Sequence, residues 1–508
     1  MRATEPNPKD TPKDTLTAPG EGRLFIDGAW RDPVAGGWRD VVAPATGRVL
    51  ARVAAGTPAD IDVAVAAARR AFDTGPWPRL DVRERARILR RVADLVTERA
   101  DELATVESLD VGKPITLSRY VDVAAVAGTF EYVTSLTHHL DGAVRATPLP
   151  AHAFTRREPV GVVAAITPFN FPLILSTSKF APALLAGNTI VHKPAGDTPL
   201  SALLLARICH EAGLPDGVLN VVTGTGAECG DHLVTHPGID KIAFTGSSGI
   251  GARVAALAGA HLTPMTAELG GNAGNLLFAD ADLERVLPSV IEAFVFNSGQ
   301  FCMAGPRLLV ERPLLRPVLD ILALQVPRIP VGDPSDPATV MGPLVSEAQV
   351  ERVESLVDGA RAAGAEVLTG GARLERDGFF YPPTVLTGLP PDAPVVQEEV
   401  FGPVLTVQPF DTEEQAIALA NSTGFGLAAG VQTGSIDRAH RVAARLRAGI
   451  VWVNGWALID PGVPFGGVGR SGWGRESGPE SLDAYTATKS VVMSLIPAAT
   501  ASDAGQEE

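Results

Sequence analysis

Cysteine is scarce in this chain of 508 residues, which has only Cys209, Cys229 and Cys302. An odd count without a CxxC pair argues against a disulfide framework and against a thiolate metal site. Free thiols suit a reducing compartment, so the sequence predicts a cytoplasmic protein. The nine histidines are scattered. The adjacent pair His138 and His139 cannot face one site on a regular element, so we expect no bound metal.

Long apolar runs and an excess of positive charge are missing as well. The nearest approach to a membrane span, residues 162–175, is interrupted by two prolines and an asparagine and falls short of the roughly 20 residues a span needs. The net charge of −15 repels phosphate backbones, so we expect neither a nucleic acid nor a membrane as partner. Residues 1–21 carry no apolar segment of the signal-peptide kind, and we predict that they and residues 498–508 are disordered tails.

The chain between these ends is predicted to form an α/β protein. Its length corresponds to about three units at roughly 100–200 residues per domain. After a helical region at 60–104, predicted strands alternate with predicted helices: strands 160–167, 188–194, 218–224 and 241–247, and helices 173–185 and 200–213. Such alternation predicts a parallel sheet covered on both faces, with ligands bound beyond the carboxyl ends of its strands.

The second half shows a further α/β rhythm, and a second domain is predicted to begin near Gly271. The elements predicted there are helices 282–294, 347–363 and 412–421 and strands 307–311, 365–370, 403–410 and 450–454.

The segment NSGQFCMAGPR, residues 297–307, places Cys302 among small and polar residues. A thiol is a strong nucleophile only as the thiolate, which needs a polar, partly open site or a nearby base. A buried structural cysteine is an equally good interpretation of this segment taken alone. Cys209, on an apolar helix, and Cys229, after a glycine turn, fit the structural interpretation better.

Three other segments offer chemistry that is weak when each is taken alone. In ELGGN (268–272), Glu268 is a candidate general base or a solvated surface residue, and the two glycines allow a close backbone approach. In TPFNFP (167–172), Asn170 offers an amide donor for an oxyanion, although a turn-forming asparagine is an alternative. In FTGSSGIG (244–251), a strand leads into a predicted helix at 251–258, whose N-terminus could hold a diphosphate.

Together and in this order, such segments resemble the aldehyde dehydrogenase superfamily over residues 22–495. The segments that carry the resemblance are TPFNFP (167–172), KPAGDTPL (193–200), FTGSSGIG (244–251), ELGGN (268–272), NSGQFC (297–302), EEVFGP (398–403), WVNGW (452–456) and PFGGVGRSGWGRE (464–476). The resemblance implies an α/β fold with a Rossmann-like cofactor domain, an α/β catalytic domain and a small β oligomerisation element. The cofactor domain would comprise residues 22–139 and 159–270, and the catalytic domain residues 271–465. The oligomerisation element would comprise residues 140–158 and 485–497. We therefore expect self-association as a dimer or tetramer.

The resemblance also implies NAD(P)-dependent oxidation of an aldehyde to a carboxylic acid. Cys302 would attack the aldehyde to give a thiohemiacetal, with the Asn170 side chain and the Cys302 backbone N–H holding the oxyanion. Hydride transfer would leave a thioester, which water activated by Glu268 would hydrolyse. Three rivals are a CoA-acylating dehydrogenase, a cysteine esterase without redox chemistry and a non-catalytic homologue. The presence of Glu268 disfavours a CoA-acylating dehydrogenase, and the matches at the cofactor site disfavour an esterase. The intact nucleophile and base disfavour a non-catalytic homologue.

The cofactor-binding positions implied by the resemblance fall in both halves of the chain. They are Thr167, Lys193, Gly226, Thr245, Gly246, Ser247, Ile250, Leu269, Gln349, Glu399 and Phe401. One position departs from a common family pattern, because Gly196 stands where many NAD-preferring relatives have a glutamate that binds the adenosine ribose. Loss of that carboxylate removes repulsion against a 2′-phosphate and opens space for it, while Lys193 remains as a cation. The cofactor is therefore predicted to be NAD or NADP.

The positions that match the family's substrate tunnel are mostly aromatic or apolar. They are Phe169, Phe171, Leu175, Ser178, Phe301, Trp456 and Phe465. No pair of arginines among them would hold a carboxylate or phosphate. The resemblance therefore favours an apolar aldehyde, aromatic or of medium chain length. Packing of several of these aromatics into the core is the alternative interpretation.

Overall fold

The computed structural model describes residues 22–496, so the tails predicted at 1–21 and 498–508 lie outside the described part. The strands are β1 (Leu24–Ile26), β2 (Ala29–Arg31), β3 (Trp38–Ala43), β4 (Arg48–Ala54), β5 (Val144–Arg145), β6 (Ala151–Pro159), β7 (Val162–Ile166), β8 (Thr189–Lys193), β9 (Leu219–Val221), β10 (Lys241–Thr245), β11 (Met265–Glu268), β12 (Gly274–Leu277), β13 (Arg307–Glu311), β14 (Glu366–Thr369), β15 (Thr384–Thr387), β16 (Val404–Phe410), β17 (Ala428–Gln432), β18 (Ile450–Val453), β19 (Gly472–Trp473) and β20 (Thr486–Ser494).

The α-helices are α1 (Pro58–Asp73), α2 (Val82–Glu98), α3 (Ala100–Val111), α4 (Ile115–Leu117), α5 (Val123–Ser135), α6 (Pro172–Ala186), α7 (Leu200–Glu211), α8 (Asp231–Thr235), α9 (Ser248–Ala260), α10 (Leu283–Val295), α11 (Leu315–Gln325), α12 (Glu347–Ala362), α13 (Pro394–Gln397), α14 (Glu413–Ala420) and α15 (Ile436–Ala443). Two π-helical turns, Ser118–Asp122 and Gly226–Gly230, run directly into α5 and α8.

The first large sheet has eight strands in the order β19-β11-β10-β7-β8-β9-β1-β2. Every residue of β7, β8 and β10 is buried, and these strands pair in parallel. Parallel strands covered on both faces are built from continuous apolar runs, which is why the run in β7 could be predicted from sequence. The chain places β8 and β9 on one side of β7 and β10 and β11 on the other. A ligand crevice is therefore expected beyond the carboxyl ends of β7 and β10.

The second large sheet has seven strands in the order β14-β15-β16-β13-β12-β17-β18. Its strands are parallel except for β14, which pairs antiparallel with β15 at one edge. Residues 269–273 connect β11 of the first sheet to β12 of the second. This short connection brings the two sheets together at the site described below.

Helix ends fix the positions of the site residues next to them. Helix α6 has Pro172 in its first turn, where the missing N–H is not needed, and ends at Gly187 in the left-handed conformation with φ +98°. Helix α9 begins at Ser248, three residues earlier than predicted, because the Ser247 side chain caps it by accepting the Ile250 N–H at 3.4 Å. The N-terminus of α9 consequently lies directly after β10.

A third sheet combines residues from the predicted oligomerisation element in the order β20-β6-β5. β20 and β6 pair antiparallel over nine positions, from Thr486 opposite Pro159 to Ser494 opposite Ala151. Several apolar side chains on these strands are exposed, including Val144, Val492 and Met493. Over residues 22–496, no helix combines the length and the apolar character that crossing a membrane requires.

Three strands of the second sheet, β12, β15 and β17, were not predicted from the sequence. β12 (GNLL) and β17 (AAGVQ) contain glycine and alanine, which are depleted in strands, and are too short to show a period. Both nevertheless lie buried inside the sheet, so tertiary packing decides their conformation.

Candidate active site

A cleft of about 570 Å³ lies between the two large sheets. From the first sheet, Asn170 follows β7 and Thr245 ends β10; from the second, Cys302 precedes β13 and Glu399 precedes β16. The cleft therefore joins the carboxyl edge of one parallel sheet to the amino edge of the other. Its volume is within the roughly 300–1,000 Å³ of small-molecule and cofactor sites.

The backbone before Cys302 takes a conformation that glycine alone adopts easily. Asn297, Ser298 and Gly299 are consecutive left-handed residues with φ of +48°, +56° and +72°. Such a conformation costs a non-glycine residue roughly 1–2 kcal/mol and persists only where surrounding contacts hold it. Ser298 Oγ donates to the Gly342 carbonyl at 2.8 Å, and Asn297 Nδ2 donates to the Asn170 carbonyl at 3.0 Å. These bonds fix the loop that presents Cys302.

Cys302 is the half-buried cysteine of the three, and it lines the cleft. Burial raises the pKa of its thiol, and the charges of Glu399 and Glu268 raise it further. Cys209 and Cys229 are fully buried, and burial raises their pKa values to about 12 and about 11. Cys302 is thus the accessible thiol, but it needs a base to become a thiolate.

Gly270 and Gly271 let three parts of the site approach one another. A Cβ at Gly270 would collide with the carboxylate of Glu399, and a Cβ at Gly271 would collide with the carbonyl oxygen of Cys302. The Gly271 N–H also donates to Glu399 Oε1 at 2.9 Å. The close backbone approach predicted for this glycine pair is confirmed.

Asn170 is buried with its amide held in one orientation. Its Nδ2 donates to the Gln300 carbonyl at 2.9 Å, so the nitrogen is assigned by its contact with an acceptor. Within residues 22–496, its Oδ1 has no hydrogen-bond partner. An amide has two N–H donors, so a second donor remains for a ligand in the cleft that Asn170 lines.

Glu268 ends β11 and is buried behind the cleft rather than in its lining. In the described part of the chain, neither carboxylate oxygen has a hydrogen-bond partner. Burial raises the pKa of this carboxyl well above its usual value; Glu476 raises it further, and Lys179 opposes the shift. A Cβ at Gly466 would come within 2.9 Å of Glu268 Oε1, so this glycine makes room for the side chain. A carboxyl whose pKa is raised in this way is a stronger proton acceptor, once ionised, than an exposed carboxylate.

Lys179 and Glu476 form a buried ion pair that the sequence analysis missed. Lys179 Nζ, on α6, donates to Glu476 Oε1 at 2.7 Å and to Thr245 Oγ1 at 2.6 Å. Ser178, predicted in the substrate tunnel, donates to Glu476 Oε2 at 2.7 Å. The sequence signal for this ion pair was a single lysine inside the apolar sequence of α6, because a fully buried lysine requires a partner.

Four predicted cofactor residues line the cleft near the second sheet or at the start of α9: Ser247, Gln349, Glu399 and Phe401. Burial raises the pKa of Glu399 to about 7. Gln349 Nε2 donates to the Phe401 carbonyl at 2.7 Å, and Phe401 is itself left-handed, with φ +57°. Oε1 of Glu399 accepts a hydrogen bond from the Gly271 N–H, so Oε2 can accept one from a hydroxyl group in the cleft. Thr245, Gly246 and Leu269 line the same cleft.

The other predicted cofactor residues lie outside the cleft lining. Lys193 Nζ is buried and donates to two backbone carbonyls at 2.8 and 3.3 Å. Thr167 Oγ1 is 2.9 Å from Nε2 of His192. Gly226 has open space where a Cβ would stand, and Ile250 is 50% exposed. Gly226 and Ile250 are thus both open to solvent.

The aromatic and aliphatic residues predicted for the substrate tunnel fall into three groups. Phe169 and Leu175 line the cleft. Phe171 and Phe301 are almost fully buried, with their ring centroids 5.5 Å apart, and both pack on Phe296. The buried pair forms a wall behind the cleft.

Trp456 and Phe465 brace the neighbouring backbone. Trp456 Nε1 donates to the carbonyl of Met303, the residue after Cys302, at 3.0 Å. Phe465 exchanges two backbone hydrogen bonds of 2.7 Å with Glu476. Both residues belong to the same apolar cluster as Phe301.

The sequence analysis also missed polar residues that line the cleft. Arg352 donates to the Glu399 carbonyl at 2.8 Å, and Arg470 lies 5.2 Å from the ring of Phe425. Arg470 falls inside one of the matched segments, but its place beside the start of α9, where its carbonyl accepts from Ser248 Oγ at 2.8 Å, depends on the fold.

One group of the described residues has metal-ligand types close together: Asp62, His232 and His236. His232 Nε2 is 2.6 Å from Asp62 Oδ1, and His236 Nε2 is 3.4 Å from the same oxygen. The Gly238 N–H donates to Nδ1 of His236, so the proton of the neutral ring is on Nε2 and points to Asp62. The contacts fit a hydrogen-bonded cluster, and none of the three residues lines the cleft.

Comparison with known proteins identifies relatives that span almost the whole chain. The model of the aldehyde dehydrogenase family matches residues 30–491. "Aldehyde dehydrogenase 1" of Tanacetum cinerariifolium is 42% identical over 470 residues, which cover 92% of this chain and 94% of that protein. "Aldehyde dehydrogenase family 2 member C4" of Arabidopsis thaliana is 40% identical over 475 residues, covering 93% and 95%.

Solved structures show the same likeness. The NAD⁺ complex of an aldehyde dehydrogenase from Bacillus cereus is 41% identical and superposes with a TM-score of 0.94, covering 97% of this chain and 99% of that one. The family resemblance and the α/β fold class predicted from the motifs are confirmed.

The buried environment of Cys302 predicts how its reactivity depends on pH. Because burial and two carboxylates raise the thiol pKa, alkylation of Cys302 by iodoacetamide should still accelerate above about pH 9, where an ordinary thiol of pKa about 8.5 levels off. Mass spectrometry of the modified peptide gives the rate, with glutathione as reference thiol and Cys302→Ser as control. A plateau below about pH 8 would show instead that the site stabilises the thiolate.

Proposed function

The chain belongs to the aldehyde dehydrogenase family, and we propose that it oxidises an aldehyde to a carboxylic acid through a covalent bond to Cys302. One observation carries the proposal: the accessible thiol of Cys302 lines a cleft beside the fixed amide of Asn170. The buried carboxyl of Glu268 lies near enough to raise the thiol pKa. Together these residues supply a nucleophile, an oxyanion donor and a proton acceptor.

In the first half of the proposed reaction, the Cys302 sulfur forms a bond to the aldehyde carbon and loses its proton to a base. The carbonyl electrons move to the oxygen, giving a thiohemiacetal oxyanion. The free N–H of Asn170 and the backbone N–H of Cys302 stabilise that oxyanion. When bound, the nicotinamide supplies the hydride acceptor, and the carbonyl re-forms as a Cys302 thioester.

In the second half, Glu268 takes a proton from water as the water oxygen attacks the thioester carbon. The tetrahedral oxyanion returns to the same two donors, the carbon–sulfur bond breaks, and Cys302 leaves as the thiolate with the acid as product. Lys179, paired with Glu476, limits how far burial and Glu476 shift the Glu268 carboxyl toward its neutral form. The presence of Glu268 favours water over CoA as the acyl acceptor.

The cofactor is proposed to extend from the Cys302 cleft to Lys193. The amino end of α9, capped by Ser247, provides N–H donors and a positive helix end for a diphosphate. Glu399 would accept from ribose hydroxyls near Cys302, and Lys193 would meet the adenosine ribose. Since Gly196 carries no carboxylate against a 2′-phosphate, NADP is proposed to be accepted beside NAD.

The substrate is proposed to be an apolar aldehyde, aromatic or of medium chain length. Phe169 and Leu175 line the cleft, and Phe171 and Phe301 form the wall behind it. Arg352 and Arg470 also line the cleft, but the Arg352 guanidinium donates to the Glu399 carbonyl, and the Arg470 backbone accepts from Ser248, both at the end assigned to the cofactor. They are therefore not placed to select a carboxylated substrate.

Self-association as a dimer or tetramer is proposed to use the three-stranded sheet. The exposed apolar side chains of Val144, Val492 and Met493 support this assignment, because such side chains favour burial against a partner. A cytoplasmic location remains a proposal that rests on the three free thiols.

An aldehyde panel assayed with both cofactors tests substrate and cofactor together. Medium-chain and aromatic aldehydes should give a higher kcat/KM than carboxylated aldehydes of equal length, because Phe169 and Leu175 give the cleft apolar lining. Both NAD and NADP should support turnover, followed by nicotinamide absorbance. A strong preference for NAD would contradict NADP acceptance, and acyl-CoA as the main product would contradict hydrolysis.

Replacement of Asn170 tests the oxyanion donor. Asn170→Ala should lower kcat on the order of 10²–10³-fold, because one preorganised donor is lost. Asn170→Asp, which keeps the shape but puts an acceptor where the donor stood, should be at least as impaired. Thermal unfolding of both variants separates this loss from loss of the bond to Gln300. An unchanged kcat in folded Asn170→Ala would remove Asn170 from the mechanism.

Replacement of Glu268 tests the division of roles between the two half-reactions. Glu268→Gln should still release about one equivalent of reduced cofactor per subunit in a burst, because thioester formation uses Cys302. Steady-state turnover should then fall roughly 10²–10⁴-fold, because hydrolysis lacks its base. The control Glu284→Gln, an exposed carboxylate on α10, should behave like the unmodified enzyme. Loss of the burst itself would place Glu268 in activation of Cys302.

A further inference from the structure

Arg39, on β3 of the N-terminal hairpin, lies against Gly196. A Cβ built on Gly196 would overlap Nη1 of Arg39, and Cζ of the guanidinium would be 2.9 Å from it. Nη2 donates to Asp197 Oδ1 at 3.1 Å, and the Arg39 side chain is 31% exposed. The guanidinium therefore occupies the space that any side chain at position 196 would require.

This arrangement adds a second cation beside Lys193. Burial lowers the pKa of Lys193 to about 8, and the positive charge of Arg39 lowers it as well. Lys193 Nζ donates to backbone carbonyls and is fixed by them. Arg39 contacts Asp197, in the loop that follows Lys193. It comes from β3, which lies more than 150 residues earlier in the chain.

We propose that Arg39 is a specificity-determining residue that binds the 2′-phosphate of NADP. The proposal rests on the proposed function in one respect, namely that Lys193 and the loop up to Gly196 receive the adenosine ribose. A guanidinium has five N–H donors, and Arg39 uses one of them on Asp197, so a fork remains for a phosphate. Its ion pair with Asp197 is partly exposed and therefore weak, so a phosphate dianion competes for the guanidinium.

Gly196 and Arg39 act as a matched pair in this proposal. The glycine allows the guanidinium to lie directly against the backbone, where a glutamate would both occupy the space and repel a phosphate. Removal of the family's common carboxylate explains only why a 2′-phosphate is tolerated. Arg39 explains what would bind it.

The test compares two probes that differ by the 2′-phosphate. Isothermal titration calorimetry with the full-length enzyme measures binding of 2′,5′-ADP and of 5′-AMP, and needs no aldehyde turnover. The unmodified enzyme should bind 2′,5′-ADP more tightly than 5′-AMP. In Arg39→Gln this advantage should shrink roughly tenfold or more, the loss expected for hydrogen bonds to a charged group. Gly196→Glu should remove the advantage as well.

Arg52→Gln is the matched control. Arg52 lies on β4 of the same hairpin and pairs with Asp40 at 3.2 Å, so the variant removes an equal charge elsewhere on the hairpin. It should leave the advantage of 2′,5′-ADP intact. Equal affinities of the two probes for the unmodified enzyme, or the same ratio in Arg39→Gln as in the unmodified enzyme, would overturn the proposal. Absence of aldehyde oxidation with a retained 2′,5′-ADP advantage would overturn the proposed function and leave the Arg39 site standing.

Discussion

The site depends on one close approach, in which the backbone at Gly270 and Gly271 passes directly against Glu399 and Cys302. The room for this contact exists only because neither glycine has a side chain. The connection that passes there joins the two large sheets, so the same contact sets the distance between their edges. Any displacement of the connection would move Glu268, one residue before Leu269, relative to the thiol. The glycine pair is therefore a structural requirement of the proposed catalytic arrangement, although neither glycine has reactive atoms.

The electrostatics around this contact are dominated by carboxyl groups. Glu268 and Glu476 are buried near the cleft, Glu399 is half-buried in its lining, and Lys179 is a buried cation that pairs with Glu476. Burial disfavours the charged form of each unpaired carboxyl, so the pKa values of Glu268 and Glu399 are raised. The same charges raise the pKa of Cys302. The thiol of Cys302 and the carboxyls of Glu268 and Glu399 are thus all protonated more readily than in water, so this site favours their neutral forms.

Some elements of this arrangement can be predicted from the sequence, and others cannot. The apolar runs of β7, β8 and β10 predicted the parallel sheet, since a strand buried on both faces has no other pattern. The strands GNLL and AAGVQ could not be predicted, because their conformation comes from neighbours distant in sequence. Cys302 could be weighed as a nucleophile from its polar surroundings. The left-handed backbone at Asn297 and Ser298 gave no signal, because contacts from Gly342 and Asn170, which are distant in sequence, help to hold it.

Gly196 shows why local sequence alone cannot predict every contact of the site. Gly196 was noticed because a carboxylate was missing there, which predicted a loss of repulsion and open space for a 2′-phosphate beside Lys193. The structure shows that the space is filled by a guanidinium from a hairpin near the start of the chain. Nothing in the spacing between β3 and Lys193 could reveal that contact, since it exists only after the sheet has formed and the hairpin has packed beside it. A glycine can therefore be required at a position because a side chain distant in sequence fills the space beside it. The chemistry of that second side chain then decides whether the position affects ligand selectivity.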